Sequence, residues 1–432
     1  MNTIRQIFVL LIFVIYIYPI NFKFYNTLGM YLIYDMIPIF TLLWNYRLIL
    51  SWCKDKQILF LKFFTIYFFM MLWGLISVVV NDGDFTYFDP LLRILQIIII
   101  YMFLAVIQYR ILKKVNVSVF LKYYVFSSVV YVSSTIVFLL NQELRDLWTQ
   151  LLVQNERQLE IGEIMSQQTR YGLKGFSNFS ETAICSLSAG VSLYFMHRSK
   201  AVVNVWMGTF LICLIGCFFY GRVGVITTVF FLAYYEVADM SSVNFKRIIT
   251  ILLFFIACVG MAFYLAEYDA RLELWLKWIS KPVEYFFQGI KYGQISFGPS
   301  TDKLTNEMYF VPEDWTFIFG DGFYTNANGS YYMHTDAGLL RHILFYGILG
   351  EFLGYALLVL PMIWISNVFR KNKDKLGIIL MRSFIIFVMF FEIKGVIYFN
   401  FIGWIIVIMM LVECENERTD TDCSLMQKEN QS

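Results

Sequence analysis

The sequence predicts an all-α polytopic membrane protein, with about twelve transmembrane helices and a large external loop between spans nine and ten that contains short amphipathic helices. Three observations predict it. Of 432 residues, 59% are hydrophobic and only 15% charged, against ~25% charged in soluble domains. Mean hydropathy is +0.62. Apolar runs long enough to cross a bilayer recur along almost the whole chain. In water much of that apolar surface would stay exposed, so lipid is the better solvent. The same figures exclude a cytosolic enzyme, a nucleic-acid-binding protein and a disordered chain. The net charge of +2 says nothing about partners.

The spans fall at about 4–22, 29–50, 58–80, 91–109, 120–140, 181–196, 201–219, 223–238, 248–266, 338–366, 376–391 and 395–412. They form a single transmembrane domain, 1–412, followed by a polar cytoplasmic tail, 413–432. Lys and Arg concentrate in alternate connections: Arg47, Lys54 and Lys56; Arg110, Lys113 and Lys114; Arg198 and Lys200; Lys246 and Arg247; Arg370 to Lys375. The opposite connections are poor in them, and 81–90 has three Asp and no base. By the positive-inside rule the basic set is cytoplasmic, as are both termini. The site of a cytoplasmic membrane is therefore its external or periplasmic face. Two long connections, 141–180 and 267–337, lie on that face, and loops of this size usually carry function. The stretch 143–165 reads as an interfacial helix with Leu144, Leu147 and Trp148 on one side. The stretch 271–290 reads similarly, with a break at Pro282.

None of the seven cysteines has metal-site spacing with histidine, so neither a metal site nor a cofactor is expected. Cys213 and Cys217 stand four apart and read as small packing residues. Asp35 and Arg93 sit at similar depth toward the outer ends of their spans and read as a structural pair. Glu351 is a further intramembrane carboxylate that needs a partner.

Polar groups from distant parts of the chain meet at the external face. Arg170 precedes span six. Arg222 lies in the turn Tyr220-Gly221-Arg222-Val223-Gly224, whose glycines let a substrate approach the backbone. His334 and Asp336 end the large loop, and Arg341 and His342 open span ten. Glu392 and Lys394 occupy the turn before span twelve. Arginine grips phosphate oxygens through a bidentate fork and stays charged. Fixed arginines also stabilise the charge that develops on a departing pyrophosphate. A histidine accepts a hydroxyl proton near neutral pH, and two of the chain's three histidines fall in 334–342.

At these residues the chain resembles the Wzy-type polymerases of O-antigen and capsule repeat units, in the superfamily that includes O-antigen ligases. The matching pieces are RYGLKGFSNFSETA (170–183), YGRVG (220–224), FIFGDGFY (317–324), HTDAGLLRHILFYGILG (334–350) and FEIKG (391–395), in the family's order. Thr335-Asp336 follows His334 where many relatives have Asn or Ser, and Val223 stands where Ser, Thr or Gly is common. The resemblance implies an inverting glycosyl transfer without metal or cofactor. Donor and acceptor would both be polyprenyl-pyrophosphate-linked oligosaccharides, reached from the lipid bilayer. Arg222 and Arg170 would hold the pyrophosphate, with Arg341 as a third candidate. His334 or Asp336 would take the acceptor proton. Lys394 and Glu392 would contact substrate, and Tyr324, Tyr331, Tyr332 and Trp315 would stack on sugars. A ligase with another acceptor, and a transporter of the same lipid-linked sugars, remain the alternatives. Sugar identity, and whether a chain-length regulator binds, are not encoded legibly.

Overall fold

The apolar runs fold as helices that bury one another, and the extent of burial follows their pattern. A computed structural model describes residues 2–25, 27–83, 88–153, 170–177, 179–199, 205–238, 245–292, 302–326 and 330–412. Its helices are α1 (Asn2–Ile17), α2 (Thr27–Trp44), α3 (Tyr46–Val80), α4 (Phe88–Leu112), α5 (Val117–Leu140), α6 (Gln142–Leu151), α7 (Phe179–Arg198) and α8 (Val205–Tyr220). They continue with α9 (Arg222–Ala238), α10 (Phe245–Ala266), α11 (Ala270–Tyr292), α12 (Asp314–Phe319), α13 (Gly338–Lys371), α14 (Lys375–Lys394) and α15 (Tyr398–Leu411). Among the described residues, six helices are long and apolar enough to cross a membrane: α2, α3, the Leu91–Leu112 part of α4, α5, α13 and α14. Three apolar helices are shorter, at Thr3–Ile17, Val205–Tyr220 and Tyr398–Leu411. The protein is thus all-α and has the helices of a membrane-embedded chain. A wide apolar surface, with Phe40, Leu61, Phe68 and Phe352 all more than 60% exposed, requires a nonaqueous solvent.

Helix α15 is apolar on every side, and apart from Asn400 every residue of it is buried, as a helix without a polar face demands. It packs against α4 and α13, and the buried Lys56 donates to the carbonyl of Met410 (2.8 Å) at its far end. Helix α7 achieves near-complete burial by a different route. Its run Thr182–Ser192 is rich in Ser, Ala and Gly, so neighbouring backbones come close. Ser128 and Ser188 share a hydrogen bond of 2.7 Å, and Gly190 lies so near the Phe231 ring that a Cβ would sit 2.8 Å from it. Helix α2 has the opposite character. It lies on the periphery, mostly exposed, and its middle turn, Leu32–Met36, is a π-helix.

Several expectations change. Pro282 does not break its helix; α11 runs from Ala270 to Tyr292. A proline removes one donor and favours a helical φ, so one weakened turn is tolerated where Leu272 and Trp275 anchor the helix by burial. The interfacial helix of 143–165 is seen as α6, ending at Leu151; residues 154–165 lie outside the described part, as does the tail 413–432. Glu392 and Lys394 are not in a turn but in the last turn of α14. Asp35 accepts from Gln96 Nε2 (2.6 Å), not from Arg93. Tyr171–Gly172 and Gly175–Phe176 form a small antiparallel hairpin over α5, where Ser177 Oγ meets the Tyr131 hydroxyl at 2.6 Å.

The expected span ten is interrupted. Within α13, Gly347 adopts φ 69°, ψ −177°, a region open to glycine. The carbonyls of Leu344, Phe345 and Tyr346 turn to outside donors. Asp321 N reaches Leu344 (2.7 Å), Gly322 N and Ser77 Oγ reach Phe345 (3.2 and 2.8 Å), and Trp73 Nε1 reaches Tyr346 (2.7 Å). The loop that precedes α13 is therefore bonded into the bundle. Gly347 and Gly320 admit this crossing because a Cβ on either would lie 2.1–2.2 Å from a carbonyl oxygen of the other strand.

Candidate functional site

The first half of α13, the end of α14 and the start of α15 converge with α4 and α7 on a cavity of about 450 Å³. Arg341, Lys394, Arg93 and Asp336 line it, with Tyr324, Tyr331, Phe179, Ser180, Phe399 and Asn400. Three cations face one carboxylate, so the cavity is net positive and suits an anionic group.

Arg341 lies between two tyrosine rings, its guanidinium carbon 4.1 Å from the centroid of Tyr324 and 4.2 Å from that of Tyr331. Such bracketing fixes the plane of the fork and partly dehydrates it. Its Nε is a buried donor with no hydrogen-bond acceptor among the described residues, a state that a ligand oxygen would relieve. Burial pushes the Tyr324 phenol up to about 12, while the Arg341 charge acts in the opposite direction. Asp336 and Lys394 are half-buried partners, with Nζ 3.3 Å from Oδ2.

Their placement follows from local sequence. Thr335 is buried, donates to the carbonyl of Met308 (2.9 Å) and accepts from Ala337 N (3.2 Å), so the chain turns into α13 with Asp336 at the cavity. Leu304, Ala337, Leu340 and Leu344 make a small separate core beneath the loop. Glu392 is fully buried: its Oε1 accepts from Ile397 N and Tyr398 N, both at 2.7 Å, capping α15. Its Oε2 lies 3.7 Å from His342 Nε2. Glu392 therefore braces the start of α15 and is not among the residues that line the cavity.

Other expected residues lie elsewhere. His334 is exposed, has φ +57°, and is not among the residues lining the cavity. Tyr332 donates to Asp321 Oδ2 (3.1 Å), and Trp315 is 54% exposed against Phe319 and Asn81. Neither lines the cavity. Arg170 and Arg222 form a second cationic pair. Burial and the adjacent Arg222 charge lower the Arg170 guanidinium to about 10. The glycines flanking Arg222 lie against Thr182 of α7. Thr182 Oγ1 donates to Gly221 O (3.0 Å), and a Cβ on Gly224 would sit 2.3 Å from Thr182 Oγ1.

Two lining residues were not among the expected site residues: Arg93, read from the sequence as a structural partner of Asp35, and Asn400. Arg93 is a lone base in an apolar run, a costly placement that marks function. Asn400 is the only residue of α15 that is not buried. Among the described residues, no three His, Cys, Asp or Glu side chains gather as ligands for a metal ion. No family model matches the chain, and no curated protein matches it.

Proposed function

We propose that the chain is a polysaccharide polymerase, joining polyprenyl-pyrophosphate-linked oligosaccharide repeat units at the outer face of a bacterial cytoplasmic membrane. The observation that carries this reading is the convergence of Arg341, Lys394 and Arg93, with one carboxylate, on a single cavity in an apolar helical protein. The order of the motifs in the sequence adds to it.

In this reading the cations hold the donor's pyrophosphate, and the Arg341 fork takes two of its oxygens. A hydroxyl of the acceptor sugar attacks the anomeric carbon. The new C–O bond forms as the bond to the pyrophosphate breaks, inverting the centre. The leaving group keeps the bonding electrons, and the fixed cations stabilise its charge. Asp336 takes the hydroxyl proton, because it is the carboxylate that lines the cavity.

The test is purified protein in lipid nanodiscs with lipid-linked repeat units, EDTA and no energy source. Glycans of several repeats, with released polyprenyl pyrophosphate, are expected. Chains that stay at one repeat would overturn the reading in favour of transport. Transfer seen only after adding a different acceptor would make the protein a ligase.

A further inference from the structure

A second cavity, of about 500 Å³, adjoins the first and shares Arg93, Ser180 and Asn400 with it. Its character differs. The first cavity sets three cations against one carboxylate. The second sets Arg93 and Lys174 against Asp35 and Glu181, two of each sign. Lys174 and Glu181 are themselves an ion pair, and Glu181 is buried. The second cavity thus has no net charge to offer an anion. It has instead a half-buried amide–carboxylate pair, Gln96 and Asp35, on a wall that includes Tyr16, Tyr34 and Tyr101.

The local backbone supports a binding role. Asp35 belongs to the π-helical turn Leu32–Met36, and such turns recur at functional sites. The turn is held from both sides. The Tyr16 hydroxyl donates to Ile33 O (2.8 Å), and the Tyr34 hydroxyl accepts from Ile20 N (2.8 Å) and donates to Ile20 O (3.1 Å). The Gln96 bond engages one oxygen of Asp35, leaving the other as acceptor and the Gln96 carbonyl as a further acceptor. Tyrosine faces and paired polar groups, uncharged overall, match the alternating hydroxyl and C–H surfaces of sugars. The wall on this side is α2, the least buried of the long apolar helices, so a ligand carried in lipid has a short route to it.

We infer that the second cavity is a carbohydrate site in which Asp35 and Gln96 read sugar hydroxyls, while Arg93 marks its junction with the anion-binding cavity. The inference rests on the proposed polymerase reading, which supplies the glycan, and adds where the glycan lies and which residues select it.

Equilibrium binding to the purified protein in nanodiscs tests it with two probes. One is inorganic pyrophosphate. The other is the oligosaccharide released by mild acid from the cell's own lipid-linked repeat unit. Asp35→Asn and Gln96→Leu are each expected to weaken oligosaccharide binding by about tenfold, the loss of one good hydrogen bond to a charged group. Pyrophosphate affinity should stay within about twofold. Arg341→Lys should do the reverse, and Arg93→Met should weaken both. If Asp35→Asn fails to accumulate, Gln96→Leu decides. Oligosaccharide binding that survives in the accumulating variants, while Arg341→Lys still loses pyrophosphate, sinks the carbohydrate site and leaves the polymerase reading intact. Failure of the parental protein to bind either probe removes the polymerase reading and this inference with it.

Discussion

The molecule holds two cationic groups at one end of its bundle, and they are built on different principles. Arg170 and Arg222 sit close enough to repel, and burial has already lowered Arg170 to about 10. The glycines beside Arg222 lie where α9 packs against α7. Arg341 and Lys394 have partners of complementary kind: two tyrosine faces for one, a carboxylate for the other. Both belong to a cavity. A motif centred on an arginine between glycines looks like a binding loop, yet here the glycines report helix proximity. In the proposed reading the cation that grips the donor is Arg341, which lies between two tyrosine rings at the cavity.

The comparison can be broken most directly at Arg341. Arg341→Lys keeps the charge and loses the fork and the stacking. Polymerisation is expected to fall by ~10²-fold with normal protein level, since a charge-assisted pair of hydrogen bonds is lost. Near-parental chain extension by that variant would dissolve the distinction between the two groups. Asp336→Asn comes next. If Asp336 takes the proton, the rate drops by ~10²-fold or somewhat less, while pyrophosphate affinity holds or rises because Lys394 is released. A fall in affinity with an unchanged turnover rate would count against the assignment. For Arg222→Lys the expected loss is about tenfold, smaller than at Arg341, because charge without the fork retains part of an electrostatic role. An equal or larger loss would return Arg222 to the centre of the site. His334→Ala should change the rate by less than about threefold, as the side chain is exposed and lies outside the cavity lining; a large drop would show that the loop closes over bound substrate.

The smallest effect is a pH dependence. Burial and the Arg222 charge lower the Arg170 guanidinium to about 10, so it gives up its proton at a lower pH in the folded protein than in the unfolded chain. Donor affinity that uses this charge should decline as pH rises through about 10, and the decline should vanish in Arg170→Gln. The linked stability term has the other sign. Above about 10 the unfolded state binds more protons than the folded one, so stability rises with pH there as the cost of burying this charge is relieved. A thermal transition that falls because of Arg170 in that window would contradict the placement.

Much of the fold could be read from residue order because apolar length and periodicity are local properties. The helices of 58–80, 120–140 and 376–391 fall close to where hydropathy puts them. Position 282 could not be read, since one proline costs a single bond and tertiary burial of Trp275 outweighs it. At Gly347 the φ is set by a loop some thirty residues upstream that arrives to occupy the freed carbonyls, and nothing near Gly347 announces this. The site divides the same way. Asp336, Arg341 and Lys394 were readable as polar residues at the ends of apolar runs. Asn400 and the true neighbours of Arg93 depend on which helices touch, and Asp35 resembled a natural partner for Arg93 only because the two share a depth.

The interruption at Gly347 also sets an order of assembly. The donors that meet its open carbonyls, Trp73 and Ser77 on α3 and the backbone of Asp321 and Gly322, are all synthesised before α13. Only when residues 344–346 emerge can the loop lock to the bundle, and the cavity beside Arg341 and Asp336 still lacks Lys394, Phe399 and Asn400 at that point. A nascent chain halted before α14 thus holds Arg93, Asp336 and Arg341 but neither Lys394 nor Asn400, so the cavity is completed only by α14 and α15.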